Sequence, residues 1–281
     1  FQVVFTNGAD DAAYVIPVGT FTINDNNKFK VYPRNISEGV VYDGETFAVE
    51  SAEGLNWFAA YVNGGYNFAG KVVALAADVD LAGAEWTPVG TLDAKFNGVF
   101  DGQNNKIENL KIDSEGAVAM FAYVGEEAAF KNVALENVDI KSARNAAGLL
   151  FCNYKDASAA YNGGNLLIEN VTVDNSAATN GVALVINGGK VGKAKDCTFK
   201  GETYGITLHL KGVFAAGLEL ENCTVEGTTA SIYAWDEKGI SNTSGSLVLT
   251  YDAATKAKLV GPFVWDFEDE CKSVVTLNRP E

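Results

Sequence analysis

Apolar and polar positions alternate in short segments along the middle of the chain, and many of the apolar residues are β-branched, as in strands with one buried face. Five segments share a phrase in which Asn or Asp precedes an apolar–polar–apolar triplet. The phrase recurs at Asn109, Asn137, Asn170, Asp196 and Asn222. Successive copies lie 28, 33, 26 and 26 residues apart, a range typical of stacked repeats. The pattern therefore predicts a solenoid.

A second apolar run follows most copies of the phrase, usually with Gly nearby. A period near 26 residues holds two or three strands of about five residues plus tight turns, which is enough for one coil of a parallel β-helix. Paired helices fit poorly, because 29 Gly and 5 Pro favour turns over helices. The predicted fold class is all-β: a right-handed parallel β-helix with an N-terminal helical cap and a short β extension.

The recurring Asn or Asp is interpreted as a corner residue of each coil. Asn tolerates the left-handed backbone conformation that such a corner needs, and its amide can bond the equivalent amide of the next coil. A structural ladder would then run through Asn109, Asn137, Asn170, Asp196 and Asn222. N-glycosylation is the alternative, since Asn-X-Ser/Thr triplets begin at Asn35, Asn170, Asn222 and Asn242. Two of these four are ladder positions, which favours the ladder.

Charge narrows the range of partners. The chain has 36 acidic and 21 basic residues, for a formal net charge of −15. This balance argues against nucleic acid and against anionic membranes, because both attract clustered Lys and Arg. No uncharged apolar run approaches the roughly 18 residues of a membrane span. The chain opens at Phe1 without an initiator Met, so we expect that any export signal has been removed.

A column of glutamates accompanies the predicted ladder, at Glu108, Glu136, Glu169 and Glu221. It is most simply a solvated face. A calcium site is the alternative, although stacked carboxylates repel one another unless they are spaced or bridged. Zinc is not expected, because His209 is the single His and the chain has no CxxC pair. The sequence therefore assigns no cofactor and no metal.

Two cysteines occupy the same place in the repeat. Cys197 and Cys223 are 26 residues apart, so they should stack about 5 Å apart on adjacent coils. That separation permits a disulfide, which would stabilise the fold by about 3 kcal/mol for a loop of this length. An unbonded stack of buried thiols is the alternative. Cys152 and Cys271 have no evident partner.

The chain divides into two predicted regions. Residues 1–45 hold strand-like runs broken by Asn, Asp, Gly and Pro, which predict a β-rich extension. Residues 46–281 form the predicted β-helix, which opens with an amphipathic helix over about 53–63 with Ser51 as its N-cap. An open solenoid end exposes its core, so we interpret the helix as one cap and residues 261–281 as the other.

The run from Glu53 to Ile112 carries a family resemblance. It contains the segments DVDL from Asp78, WTPVG from Trp86 and FDG from Phe100. These segments resemble the opening of the secreted, pectin-lyase-like β-helix proteins of Bacteroides-type bacteria, with Asn105 where His is common. The resemblance covers about 60 residues closely and the remaining coils in pattern. It implies export to the cell surface, with a lipid anchor, or to the periplasm.

Catalysis is one functional class that this fold supports. A lyase needs calcium-binding carboxylates and a base, and a hydrolase needs two carboxylates flanking the scissile bond. The carboxylate pairs in the sequence are Asp78/Asp80 and Asp236/Glu237. Asp78 and Asp80 belong to the structural segment of the family, and His209 sits in a strand pattern. No catalytic residue is assigned, and a polysaccharide lyase or glycoside hydrolase remains the alternative function.

A binding role rests on one strand pattern. Tyr233 and Trp235 should lie on one face of a strand with Asp236 beside them, as an aromatic platform for a sugar ring requires. The alternative is that both rings pack under a loop or in the core. The main hypothesis is a non-catalytic exported adhesin or glycan-contacting module, with a host or dietary glycan or a surface protein as its partner. A structural spacer is the further alternative.

Overall fold

The computed structural model describes residues 4–6, 13–15, 36–114, 119–125, 127–142, 146–151, 166–187, 192–209, 215–236, 246–267 and 274–280. Its helices are α1 (Ala52–Asn63) and α2 (Ala253–Lys256), and neither of these described helices has the length and apolar character to cross a membrane. The strands are, in chain order, β1 (Val4–Thr6), β2 (Ala13–Val15), β3 (Val40–Tyr42), β4 (Thr46–Val49), β5 (Val72–Leu75), β6 (Val79–Asp80), β7 (Val99–Glu108), β8 (Lys111–Ser114), β9 (Ala129–Glu136), β10 (Asp139–Ser142), β11 (Ala146–Phe151), β12 (Leu167–Asn175), β13 (Gly181–Asn187), β14 (Gly192–Lys195), β15 (Thr198–Gly201), β16 (Tyr204–His209), β17 (Ala215–Glu221), β18 (Thr224–Glu226), β19 (Ala230–Asp236), β20 (Ser246–Tyr251), β21 (Leu259–Val260), β22 (Phe263–Phe267) and β23 (Val274–Asn278).

Successive turns of the chain add strands to the same sheets. The long sheet has the order β23-β20-β17-β14-β12-β9-β7-β5-β4-β3, and β15, β18, β21 and β6 join it alongside. The five-stranded sheet has the order β11-β13-β16-β19-β22. Neighbours are parallel throughout both sheets except at β3–β4. Parallel strands that recur once per turn define a parallel β-helix, which confirms the predicted fold class.

The core lies inside the coils, where side chains of equal register stack from strand to strand. Leu184 of β13 is in register with Ile206 of β16, which is in register with Ile232 of β19. All three are fully buried. Burying an aliphatic side chain of this size contributes about 2 kcal/mol. The alternation read from the sequence arises because every second residue of a strand points into this core.

The corner residues adopt the left-handed backbone conformation that the pattern predicts. The φ angles of Asn109, Asn137, Asn170, Asp196 and Asn222 are 58°, 52°, 52°, 53° and 54°. In this region the Cβ atom of an L-residue comes close to the following carbonyl oxygen, and Asn and Asp tolerate the conformation better than most residues because their short polar side chains can bond locally. The corner geometry is therefore the reason that the Asn or Asp recurs.

The five predicted ladder residues belong to two columns rather than to one. In the short column, Asn109 Nδ2 donates to Asp80 Oδ1 at 2.6 Å, and Asn137 Nδ2 donates to Asn109 Oδ1. In the long column, Asn170 Nδ2 donates to Asn132 Oδ1 and to Asn104 Oδ1, both at 3.1 Å. The long column continues with Asn222 Nδ2, which donates to Asp196 Oδ1 at 2.6 Å.

The prediction that Asn170 stacks on Asn137 is therefore wrong. β9 pairs with β12 so that Glu169 faces Lys131 and Val171 faces Val133, which sets Asn132 opposite Asn170. The coil that contains β9 has Asn at both 132 and 137, and both residues have positive φ. This coil therefore uses the same residue type at two different corners. The phrase selects Asn137, which is followed by Val-Asp-Ile, and misses Asn132, which is followed by Val-Ala-Leu.

Helix α1 packs its apolar side on the first coils. It begins after Ser51, whose side chain accepts a hydrogen bond from Gly54 N at 3.2 Å, and it ends before Gly64. Phe58 is fully buried, and its ring centroid lies 5.2 Å from that of Phe68 and 5.3 Å from that of Phe96. An aromatic cluster therefore joins the helix to the solenoid core.

Both predicted end regions contribute strands to the solenoid. β1 and β2 form an antiparallel hairpin within the predicted extension, but β3 pairs with β4 and is the end strand of the long sheet. At the other end, β22 continues the five-stranded sheet and β23 continues the long sheet. Residues 261–281, interpreted from the sequence as a cap, thus supply the last strands of both sheets.

Candidate functional site

Two tyrosines from neighbouring coils stack on the outer side of the five-stranded sheet. Tyr204 begins β16 and Tyr233 lies in the middle of β19. Their ring centroids are 4.5 Å apart and their planes are inclined by 15°. Both rings are half-buried. We call these two residues the tyrosine pair. The sequence pointed to Tyr233, and the structure adds Tyr204 as its partner.

The carboxylate beside the tyrosine pair comes from the next coil. Tyr233 Oη donates a hydrogen bond to Asp266 Oδ2 at 2.6 Å, and Asp266 is exposed on β22. Burial, together with this hydrogen bond, raises the pKa of Tyr233 above its ordinary value, and burial followed by the charge of Asp266 raises the pKa of Tyr204. Both hydroxyls are therefore neutral at physiological pH, and Tyr233 holds the Asp266 carboxylate at the ring edge.

The other two predicted ligand-binding residues follow Tyr233 along β19. Trp235 is half-buried, like Tyr233, whereas Ala234 between them is fully buried. This alternation puts the tryptophan on the outer side of the strand, in register with Asp266. The backbone of Asp236 ends β19, and its side chain lies outside the described part of the structure. The structure thus brings Tyr233, Trp235 and Asp266 to one face.

A small buried apolar cluster supports Tyr204 of the tyrosine pair. Ala119, Val182 and Val185 form a second buried apolar cluster, separate from the solenoid core, and Tyr204 packs against it. Tyr204 is therefore held between this cluster and Tyr233. A ring held on both sides, as Tyr204 is, loses little conformational freedom when a ligand contacts its exposed edge, which favours binding.

The carboxylates first considered for catalysis have structural partners. Asp78 Oδ1 accepts a hydrogen bond from Lys106 N at 3.0 Å. Asp80 Oδ1 accepts from Ala82 N at 2.7 Å and from the short-column Asn109, and the Asn109 bond followed by the Ala82 bond lowers the pKa of Asp80. Both carboxylates hold neighbouring coils together. Glu237 and the side chain of His209 lie outside the described residues.

The first part of the glutamate column is bridged by a lysine. Lys106 Nζ lies 2.8 Å from Glu108 Oε1 and 3.5 Å from Glu136 Oε2. The hydrogen bond to Glu108 is the main reason that the pKa of Lys106 is raised. Lys106 therefore relieves the repulsion between two carboxylates that are in register on adjacent strands.

Glu169 and Glu221 form a separate column, because β12 pairs with β9 so that Glu169 faces Lys131 rather than Glu136, and the prediction of one continuous glutamate column is therefore wrong. In this second column, glutamates alternate with lysines. Glu169 of β12 is in register with Lys131 on one side and Lys195 on the other. Glu221 Oε2 lies 2.7 Å from Lys193 Nζ, and its Oε1 lies 3.1 Å from Lys195 Nζ, which together lower the pKa of Glu221. Within the described ranges, no group of three or more His, Cys, Asp or Glu is placed to hold a metal ion. Both glutamate columns are therefore outer faces on which lysines offset the carboxylate charge.

Cys197 and Cys223 stack on adjacent coils, as their spacing predicts. The register of β15 with β18 and of β14 with β17 sets them opposite one another, and both are buried. Both are free thiols in the structure. Contact with the Cys223 thiol and burial raise the pKa of Cys197. The structure thus describes the reduced pair, and the disulfide stays a prediction.

The stacked coils with an aromatic outer face define a β-solenoid protein. A family model described as the right-handed β-helix region matches residues 98–247. This match covers more than half of the chain, so the chain belongs to the right-handed β-helix family. Neither the comparison with curated proteins nor that with solved structures found a match. Membership in the family gives the fold and its handedness, and the site must supply the function.

Proposed function

We propose that the chain is a non-catalytic, glycan-contacting module, and that it contacts its ligand with the outer face of the five-stranded sheet. The observation that carries the proposal is the half-buried tyrosine pair with the Asp266 carboxylate fixed at its edge. Aromatic carbons pack against the C–H groups of a sugar ring, and a carboxylate accepts hydrogen bonds from sugar hydroxyls. Trp235 on the same side of β19 extends this surface by one ring.

The resemblance to exported Bacteroides-type β-helix proteins supports a place outside the cytoplasm for this module. On this proposal the protein is an exported adhesin at the cell surface, and its partner is a host or dietary glycan or a surface protein. Protease treatment of intact source cells tests the location. Degradation of the protein on intact cells supports a surface position, whereas degradation only after lysis contradicts it.

A polysaccharide lyase or hydrolase has weaker support from the geometry. A lyase or hydrolase needs carboxylates free to bind calcium or to attack, whereas Asp78 and Asp80 bond neighbouring coils. In the described part of the chain, Lys106, Lys193 and Lys195 pair with glutamates of the two columns and do not lie beside the tyrosine pair. The other alternative, a structural spacer, does not explain why the tyrosine pair and the Asp266 carboxylate lie together on the outer face.

A glycan array and a polysaccharide-degradation assay on the same purified protein, with and without added calcium, test the proposal. We expect binding without product release, and we expect Tyr233→Ala and Trp235→Ala each to weaken the binding by about tenfold or more. Tyr61→Ala is a matched control, because Tyr61 is a half-buried tyrosine on α1. New unsaturated or reducing ends would contradict the proposal and favour an enzyme. Unchanged binding in both variants would exclude this face as the site.

A further inference from the structure

A polar recess opens at a different corner of the solenoid, near its N-terminal end. It has a volume of about 630 Å³ and is lined by residues of three successive coils, among them Asn67, Asp93, Lys95, Asn97 and Glu127. This volume lies in the range of about 300–1,000 Å³ that is typical of small-molecule sites. None of these residues belongs to the repeated phrase or to the tyrosine pair.

The centre of the recess is fixed by Asn97, which is bonded to both neighbouring coils. Its backbone N donates to Asn67 O at 2.7 Å, and its Oδ1 accepts from Glu127 N at 2.8 Å. Its Nδ2 lies 3.5 Å from Glu127 Oε2. A Cβ at Gly125 would come within 2.2 Å of Asn97 Oδ1, so the glycine is what allows this side chain to sit there. The wall of the recess is therefore built before any ligand arrives.

A tight turn forms the rim of the recess. Thr91 N donates to Ala94 O at 2.7 Å, and Ala94 N donates to Thr91 Oγ1 at 3.1 Å. The turn holds Leu92 and Asp93 at its tip, and Leu92 is 41% exposed. Phe96, the next residue but one after the turn, is fully buried in the aromatic cluster of α1 and anchors the rim to the core. An apolar side chain and a carboxylate thus stand next to each other over the cavity.

Hydrogen-bonding groups in the recess remain available for a ligand. Among the described residues, the Asp93 carboxylate has no hydrogen-bond or ion-pair partner. Asn67 Oδ1 accepts from Ala69 N at 3.0 Å, while its Nδ2 has no partner in the same ranges. A carboxylate that accepts and an amide that donates match the hydroxyl groups of a sugar, which do both. Leu92 offers an apolar contact for the C–H groups of the ring.

The charges of the recess select against anionic ligands. Among the described residues that line it, Asp93 and Glu127 supply two carboxylates and Lys95 supplies one ammonium, and the whole chain carries a net charge of −15. A uronate or phosphate would meet repulsion from both. We propose that the recess is a second binding site, for one neutral sugar unit of a glycan. This site shares no residue with the tyrosine pair, so it does not rest on the proposed function.

Saturation-transfer NMR and calorimetry with neutral monosaccharides and disaccharides, and with uronic acids as a comparison, test the second site. We expect millimolar binding of neutral sugars, weakened about tenfold or more by Asp93→Ala and by Asn67→Ala because each removes a direct hydrogen bond. Gly125→Ala should weaken it as well, by displacing Asn97. Asp113→Ala is the matched control, an exposed carboxylate on β8 outside the recess. Unfolding midpoints identify any variant that fails to fold.

The outcomes separate the two sites. Neutral-sugar binding that survives Tyr233→Ala and is lost in Asp93→Ala and Asn67→Ala supports the recess, whatever happens to the proposed function. Binding that is lost in Tyr233→Ala and unchanged in both recess variants overturns the recess and leaves the proposed function standing. The absence of neutral-sugar binding, or a preference for uronic acids, also overturns the recess.

Discussion

Each corner Asn or Asp performs two tasks with one side chain. Its backbone takes a left-handed conformation, with φ of 54° at Asn222, and its side chain bonds the equivalent residue of the next coil. The left-handed conformation costs most residues about 1–2 kcal/mol, and a hydrogen bond contributes about 1 kcal/mol. Neither task depends on a ligand, so these residues are structural even where an Asn-X-Thr triplet begins.

Substitutions at Asn222 separate the two tasks. Asn222→Gly removes the bond to Asp196 and the exposed bond from Lys258 Nζ but tolerates the left-handed backbone, so we expect a loss of about 1 kcal/mol in the free energy of unfolding. Asn222→Ala removes the same bonds and adds backbone strain, so we expect a loss of about 2–3 kcal/mol. Urea unfolding measures both. If Ala is no more destabilising than Gly, the left-handed conformation is not what selects Asn here.

Burial of Tyr233, together with its hydrogen bond to Asp266, makes the stability of the fold depend on alkaline pH. The pKa of Tyr233 is raised above its ordinary 10.0, so the fold favours the neutral phenol. This contribution is fully present below about pH 10 and is lost as the pH rises towards the folded-state pKa. Asp266→Asn removes the hydrogen bond to the carboxylate and its charge but leaves burial, the largest cause, so we expect the pKa of Tyr233 to fall part of the way and the alkaline loss to shrink.

Ultraviolet titration of the phenolate measures the Tyr233 pKa, and urea unfolding above and below pH 10 measures the stability. Asp113→Asn, which replaces an exposed carboxylate on β8, is the control and should leave the phenolate titration unchanged. Equal titration curves for Asp266→Asn and the unsubstituted protein would show that burial alone raises the pKa.

At the scale of the element, the aromatic contacts of one residue, Phe58, attach α1 to the coils. Phe58 contacts the rings of Phe68, Phe96, Phe100 and Phe121, which come from the coils beneath the helix. The same cluster supports the rim of the polar recess through Phe96. A change at Phe58 should therefore affect the N-terminal coils and the recess together.

We expect Phe58→Ala to lower the free energy of unfolding by about 3–5 kcal/mol, because it leaves a cavity among fully buried rings. Asn56→Ala, at an exposed position of the same helix, should change it by less than about 0.5 kcal/mol. Chemical unfolding followed by tryptophan fluorescence measures both. A small effect of Phe58→Ala would mean that the helix is not needed to close the first coils.

The elements were predictable from the sequence to different degrees. α1 could be predicted because its cap at Ser51 and its apolar spacing are local. The coils could be predicted because each passage of the chain round the solenoid takes a similar number of residues, which repeats the phrase at a regular period. Asn132 could not be predicted as the partner of Asn170, since Asn137 fits the phrase whereas the Val-Ala-Leu triplet after Asn132 lacks its polar middle residue. Asp266 was missed because its place beside Tyr233 depends on the register between β19 and β22.

The polar recess also left no signal in the sequence. Asn67, Asn97 and Glu127 come from three coils and share no phrase, although they are spaced at equal intervals of 30 residues. Such a column becomes visible only when neighbouring coils are placed in register. Repeat proteins therefore show their core readily in the sequence, while a site built across coils from dissimilar residues stays hidden.

At the scale of the whole molecule, Cys197 and Cys223 can link two coils. Oxidation would close a loop of 26 residues and stabilise the fold by about 3 kcal/mol. Both thiols are buried, so the oxidant must act during folding, as a thiol–disulfide oxidoreductase does in an exported protein. A disulfide forms as each thiol loses one hydrogen and the oxidant accepts the two electrons.

We expect protein that folds in an oxidising compartment to carry this disulfide. In a Cys152→Ser, Cys271→Ser background, its intact mass should be lower by two hydrogen atoms, and reductant should lower its urea midpoint. A further Cys197→Ala substitution is the control, in which reductant should have no effect. Free thiols after oxidative folding, with no effect of reductant, would favour the unbonded pair.

The equal length of the central coils has a consequence for how such a protein can evolve. Asp196 and Asn222 are 26 residues apart, and the strands on either side of them pair in one continuous register. A gene duplication of residues 198–223 would insert a complete coil whose two ends meet the existing strands without a shift. Lineages could therefore lengthen or shorten this protein one coil at a time, and keep the corners and core of every other coil unchanged.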